Sequence, residues 1–138
     1  CPAAPDAIVR HGPHYPNGVQ IYKAKPIFYD MGSLFTALAP IKRFIGTSSS
    51  ETESARQILD IPPEWNDSAI AVSEFRGGQV SEIRLYPIVI NDAGPLVGTP
   101  KPAPPEAAQR ILEQFRLNSD RYGTRISIEK GVGIIPPN

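Results

Sequence analysis

The sequence predicts an α/β chain, mostly short strands with one long helix. Three observations carry that reading: a Gly-Gly turn flanked by alternating apolar residues, an amphipathic stretch of helical period, and several short apolar runs separated by Gly/Pro-rich turns. At 138 residues the chain has the length of one ordinary domain.

Taken in order, Ala7-Ile8-Val9 reads as a short buried strand that ends in the turn-forming segment Arg10 to Gly18. Val19 and Ile21 alternate with polar Gln20, and Pro26 to Gly32 follows Lys23-Ala24-Lys25, which predicts two strands joined by a tight basic turn. Residues 47–66 shift to Ser, Thr and Glu, with a short helix expected from Glu51 to Leu59 and stopped by Pro62-Pro63. This stretch reads as a surface excursion from the core, with a substrate-side flap as the alternative.

Ala69 to Asn91 is the clearest unit. Gly77-Gly78 suits a two-residue hairpin turn, because glycine accepts the positive φ such turns require. Folding there places Val72 opposite Ile83 and Ile70 opposite Leu85 on one face, with Phe75 and Val80 meeting on the other. A Pro/Gly-rich connection then leads to a helix whose apolar positions Ala108, Ile111, Leu112 and Phe115 follow i, i+3, i+4, i+7. Pro105 suits its first turn and Gly123 lies just past its end. Gln109, Arg110, Glu113 and Arg116 are expected at water or at the rim. Arg125 to Glu129 and Gly131 to Ile135 read as closing strands.

Fourteen basic residues balance fourteen acidic ones, so net charge gives no argument for nucleic acid or a membrane surface. No apolar run approaches the roughly 20 residues needed to span a bilayer, and the chain reads as soluble, with no membrane segment. Its compartment stays open between bacterial cytoplasm and cell envelope. Sixteen prolines gather in loops rather than repeats, which indicates punctuated globular structure instead of low complexity. The single cysteine, Cys1, makes no internal disulfide. An N-terminal cysteine nucleophile, with the α-amine as base, is one reading of that residue.

Both histidines of the chain fall in His11-Gly12-Pro13-His14, directly after the first strand. Neutral imidazoles are good ligands for zinc, iron or manganese, and a loop at a strand end can aim two rings at one ion. Two ligands fall short of the usual three or four. The spacing alone therefore leaves two readings open, partial metal ligation or histidines that hydrogen-bond and cap the loop.

Resemblance to a known family extends over nearly the whole chain. Asp6-Ala-Ile-Val-Arg-His-Gly-Pro-His14, followed by Gly18-Val-Gln-Ile-Tyr-Lys-Ala-Lys-Pro-Ile-Phe-Tyr-Asp-Met-Gly32, resembles the CapA family of capsule and poly-γ-glutamate biosynthesis proteins. In that family an aspartate-started strand leads to a Gly-His-x-Pro-His loop and a Gly-(Ile/Val)-Glu-Ile-Tyr-Lys-Gly block. Ile83-Arg-Leu-Tyr-Pro87, the helix Glu106 to Asn118, and Tyr122 to Glu129 with its Gly-Val-Gly tail resemble the same family's C-terminal region. The chain departs from the pattern at Arg10, where glycine is usual, and at Ser33, where asparagine is usual.

The resemblance implies that residues 1–138 are the C-terminal part of a single CapA-type domain. Its fold would be a calcineurin-like metallophosphoesterase sandwich, with helices flanking two β-sheets. It implies a divalent-metal site, two ions of manganese, iron or zinc, with His11 and His14 among the ligands. The remaining ligands, an early aspartate, an acidic residue and an Asn-Asn-His segment, would come from the missing N-terminal part or from another chain. The implied activity is metal-dependent hydrolysis of an anionic substrate, a small molecule or polymer of phosphoester or γ-glutamyl type. Arg10 would bind its negative charge, or else point outward, and Asp30 would accept a histidine N–H from outside the ligand shell, or else cap a turn. A non-catalytic polyglutamate-binding or capsule-assembly role is the alternative.

Overall fold

The computed structural model describes residues 5–34, 63–91 and 95–136. The reading of Cys1, the helix expected from Glu51 to Leu59, and residues 47–62 of the surface excursion lie outside the described residues. The described part is a mixed α/β structure of two sheets and one helix, with strands in the majority.

The first sheet has the order β1-β3-β2, with β1 at Ile8–Val9, β2 at Val19–Tyr22 and β3 at Lys25–Phe28. β1 runs parallel to β3, and β2 pairs antiparallel with it from Val19↔Phe28 to Tyr22↔Lys25. The predicted basic turn is present at Lys23-Ala24, both in the left-handed region at φ 50° and 58°. A non-glycine residue costs about 1 kcal/mol or more in that conformation. Ala24→Gly is therefore expected to stabilise the protein by roughly 1 kcal/mol, read as a higher midpoint in chemical denaturation.

β1 corrects one expectation. It forms where the apolar run predicts, but it is an edge strand, and Ile8 and Val9 are 41% and 54% exposed rather than buried.

The second sheet runs β4-β5-β8-β7, with β6 also pairing β5. β4 is Asp67–Arg76, β5 Gln79–Ile90, β6 Pro100–Pro102, β7 Ser127–Glu129 and β8 Val132–Ile135. The Gly77-Gly78 turn is in place, with both glycines at positive φ, and Phe75↔Val80 pair as expected. Beyond them the register corrects the sequence reading. A bulge between Glu74 and Phe75 leaves Ser81 without an opposite partner, so Glu74 faces Glu82, Val72 faces Arg84 and Ile70 faces Tyr86. One extra residue exchanges the two faces of everything beyond it. Buried Ile83 and Leu85 consequently stand opposite Ser73 and Ala71, while Ile70 and Val72 stay exposed. The Ser81 hydroxyl donates to the Glu74 carbonyl at 3.2 Å and ties the bulge.

α1, Pro105–Asp120, has proline in its first turn and buries Ala108, Ile111, Leu112 and Phe115, the positions its period predicts. Ile111, Leu112 and Phe115 join Val19 and Phe28 of the first sheet, Ala69, Ile83, Leu85 and Ile135 of the second, and Ile126 just before β7 in one core. β8 passes beneath the helix at Gly133, where a Cβ would come within 2.9 Å of Leu112. The outer edge of β2 bonds to the end of α1 and the turn after it: the Val19 N–H donates to Ser119 Oγ at 2.9 Å and the Ile21 N–H to Thr124 Oγ1 at 3.2 Å. The sheets meet again at Met31, whose carbonyl accepts from the Ala69 N–H and from the Ser68 hydroxyl. Among the described residues no helix is long and apolar enough to cross a membrane.

Candidate functional site: the histidine loop

The segment between β1 and β2 carries both histidines, and its shape is set by a carboxylate just beyond the neighbouring strand β3. Asp30, two residues beyond β3, is 1% exposed. Its Oδ2 accepts the backbone N–H of Gly12 at 3.0 Å and that of His14 at 3.3 Å, and its Oδ1 accepts the Gly32 N–H at 2.8 Å. Charged acceptors make stronger hydrogen bonds than neutral ones, and every side-chain oxygen of Asp30 is engaged. Both donors from the loop are main-chain amides. Asp30 thus fixes the backbone that presents the imidazoles, and among the described residues no hydrogen bond joins it to either ring.

His14 is held at φ 65°, a region that non-glycine residues seldom occupy. Its ring lies against Trp65, centroids 5.2 Å apart and planes tilted by 41°. Trp65 sits in a 3-10 turn, Pro63–Asn66, which runs directly into β4. The next residue, buried Asp67, receives a bidentate pair from Arg110 of α1, with Nε to Oδ2 at 3.0 Å and Nη2 to Oδ1 at 2.7 Å. That hydrogen-bonded carboxylate raises the pKa of the Arg110 guanidinium. Gly32 completes the junction. It has φ 82°, and a Cβ there would lie 2.4 Å from the Asp67 carbonyl oxygen. The histidine loop is therefore fixed twice, through its amides by Asp30 and through one ring by a tryptophan whose own turn is anchored to the helix.

His11 and His14 are both exposed, as is Arg10. The Arg10 N–H donates to the Phe28 carbonyl at 2.8 Å, and its guanidinium lies over the Tyr29 ring at 5.9 Å from the centroid. Two imidazoles on a rigid exposed loop have the chemistry to contribute part of a ligand set for a borderline divalent ion. Among the described residues no third histidine, cysteine, aspartate or glutamate gathers with them. A separate groove of about 650 Å³ opens beside β5 at the start of α1, lined by Ile70, Tyr86, Ile88, Pro102 and Pro105 among others, and includes none of Arg10, His11, His14 or Asp30.

Trp65, Asp67 and Arg110 were not singled out by sequence reasoning. Trp65 closes the stretch read as an excursion, and Arg110 was expected only at the rim. Their one sequence signal is a lone tryptophan immediately before a strand.

No family model matches the chain. Two Sinorhizobium fredii (strain NBRC 101917 / NGR234) proteins, described as uncharacterized proteins y4sH and y4uA, are each similar to it, 34% identical over 159 residues. Each alignment covers 96% of this chain and 34% of the relative, so the chain spans about a third of the length of the curated relatives it matches.

Proposed function

We propose that this chain is the C-terminal part of a CapA-type, metal-dependent hydrolase of anionic substrates, with the calcineurin-like sandwich completed by another part of the same protein or by another chain. The observation that carries this reading is the histidine loop itself. A buried carboxylate grips its main chain and leaves both imidazoles exposed, an arrangement suited to presenting ligands rather than burying them. The exposed apolar edge at β1 and the threefold greater length of the relatives support a larger assembly around it.

In this reading His11 and His14 supply two nitrogen ligands to a divalent site of manganese, iron or zinc. When bound, the metal supplies Lewis acidity and an activated water. Asp30 keeps the two ligands in register through the backbone, and Trp65 restrains the His14 ring. Arg10, steadied by Tyr29, meets the negative charge of a phosphoester or γ-glutamyl substrate.

The test is metal analysis of the complete protein with His11→Ala and His14→Ala made separately. Each variant is expected to lose at least about tenfold in metal affinity, since losing even a partner that only orients a ligand typically costs that much. Trp65 is the chain's one tryptophan, so its emission should also respond to metal in the wild type and lose that response in His14→Ala. Unchanged metal content in both variants overturns the ligand assignment. Turnover of phosphoesters or γ-glutamyl peptides that depends on added manganese separates this reading from a non-catalytic polymer-binding role.

A further inference from the structure

Beside the histidine loop four side chains from three separate segments stack in sequence. The Arg10 guanidinium lies 5.9 Å from the Tyr29 centroid, Tyr29 stacks on Tyr122 at 4.6 Å and 19°, and the Arg121 guanidinium lies 5.7 Å from the Tyr122 centroid. The rings are held from outside the stack. The Tyr29 hydroxyl donates to Gln20 Oε1 at 2.7 Å, and Tyr122 follows the end of α1 with its ring edge close against Gly18. Both arginines are exposed, and among the described residues neither is paired with a carboxylate. Arg121 spends two donors on Asn118, with Nε on its carbonyl and Nη2 on its side-chain oxygen, which fixes the guanidinium and leaves its other N–H groups without a partner among the described residues.

A guanidinium held beside a ring and not paired with a carboxylate keeps N–H groups free to bind carboxylate or phosphate bidentately. We infer that Arg10, Tyr29, Tyr122 and Arg121 form a two-point anion site, in which Arg121 is a second subsite for a linear substrate carrying at least two negative groups. Each guanidinium lies against a different ring of the pair, so a single small anion engages one of them and a chain with repeated charges engages both. The tyrosines stack on each other, so one face of each is closed to a nucleobase, which disfavours a single-stranded nucleic acid as the occupant. The inference rests on the proposed anion-facing role of Arg10, and it is independent of metal.

Binding of inorganic tripolyphosphate and of orthophosphate to the full chain, measured calorimetrically in the presence of a chelator, tests it. Tripolyphosphate is expected to bind at least about tenfold more tightly than orthophosphate, the scale of one added charge-assisted contact. Arg121→Gln should remove most of that advantage, so that tripolyphosphate binds the variant little more tightly than orthophosphate does. Arg121→Lys keeps the charge without the flat fork and should recover only part of it. Both variants alter an exposed side chain, and a circular dichroism spectrum matching the wild type checks the fold. Equal affinity for the two anions, or an Arg121→Gln variant that binds tripolyphosphate as the wild type does, overturns the inference. These affinities are read with metal chelated and the His11→Ala and His14→Ala test reads metal content, so failure of the metal reading and failure of the second subsite give different results.

Discussion

Asp30→Ala is expected to cost on the order of 3 to 5 kcal/mol of stability, because three backbone donors lose their acceptor at once and each poorly satisfied group costs about 1 to 3 kcal/mol. The donors belong to Gly12, His14 and Gly32, and the carboxylate that serves them is buried. Asp30→Asn preserves the shape but places an NH2 group against at least one of those N–H donors, and should cost about 2 kcal/mol. Urea denaturation measures both, and in each variant the loop amides should lose protection from hydrogen exchange before the core strands do. A loss below about 1 kcal/mol for the alanine variant would show that the loop keeps its shape by other contacts.

Gly32→Ala should destabilise the protein by at least about 3 kcal/mol, through two causes acting together. The added methyl group would lie 2.4 Å from the Asp67 carbonyl oxygen and 2.8 Å from the Ser68 Cα, and these are backbone atoms that cannot swing aside. The residue also has φ 82°, which an L side chain resists. The two segments pushed apart carry Asp30 and Trp65, so the variant should lose the His14–Trp65 contact as well as stability. A shift of the tryptophan emission toward that of an exposed indole reports the first effect, and a lowered denaturation midpoint reports the second. Gly78→Ala is a useful contrast: it shares the positive φ, at 77°, but has nothing within 4 Å of an added Cβ. Its cost should be only the conformational part, about 1 kcal/mol.

Much of the architecture was legible in the sequence where a local rule decides it. The helix is determined by the period of Ala108, Ile111, Leu112 and Phe115 and by proline in its first turn, and it forms there. The turns at Lys23-Ala24 and Gly77-Gly78 follow from the chain on either side of them. Register beyond a bulge is a different matter. Nothing in the pattern around Ser81 announces an extra residue, and apolar pairing favours the unbulged phase, in which Val72 and Ile70 would face Ile83 and Leu85 instead of Arg84 and Tyr86. The burial of β1 depends on what lies beside an edge, which no alternation records. At the site, the four positions singled out by sequence occupy one region, Arg10, His11 and His14 on the loop and Asp30 beneath it. Sequence could not show that Asp30 addresses amides, nor that Trp65 reaches His14 across 51 positions, nor that Arg110 clamps Asp67 across 43. Such contacts exist only once the sheets have closed on the helix.

The way Asp30 holds the loop has an evolutionary consequence. A carboxylate that recognises only main-chain N–H groups is indifferent to which side chains the loop displays, since every residue except proline offers the same donor. The display at position 11 is thereby uncoupled from the architecture that supports it, whereas position 14 is also tied to the frame through Trp65. The side chain at position 11 can be exchanged by a single substitution while the frame persists, so the same preformed loop can carry a different recognition surface.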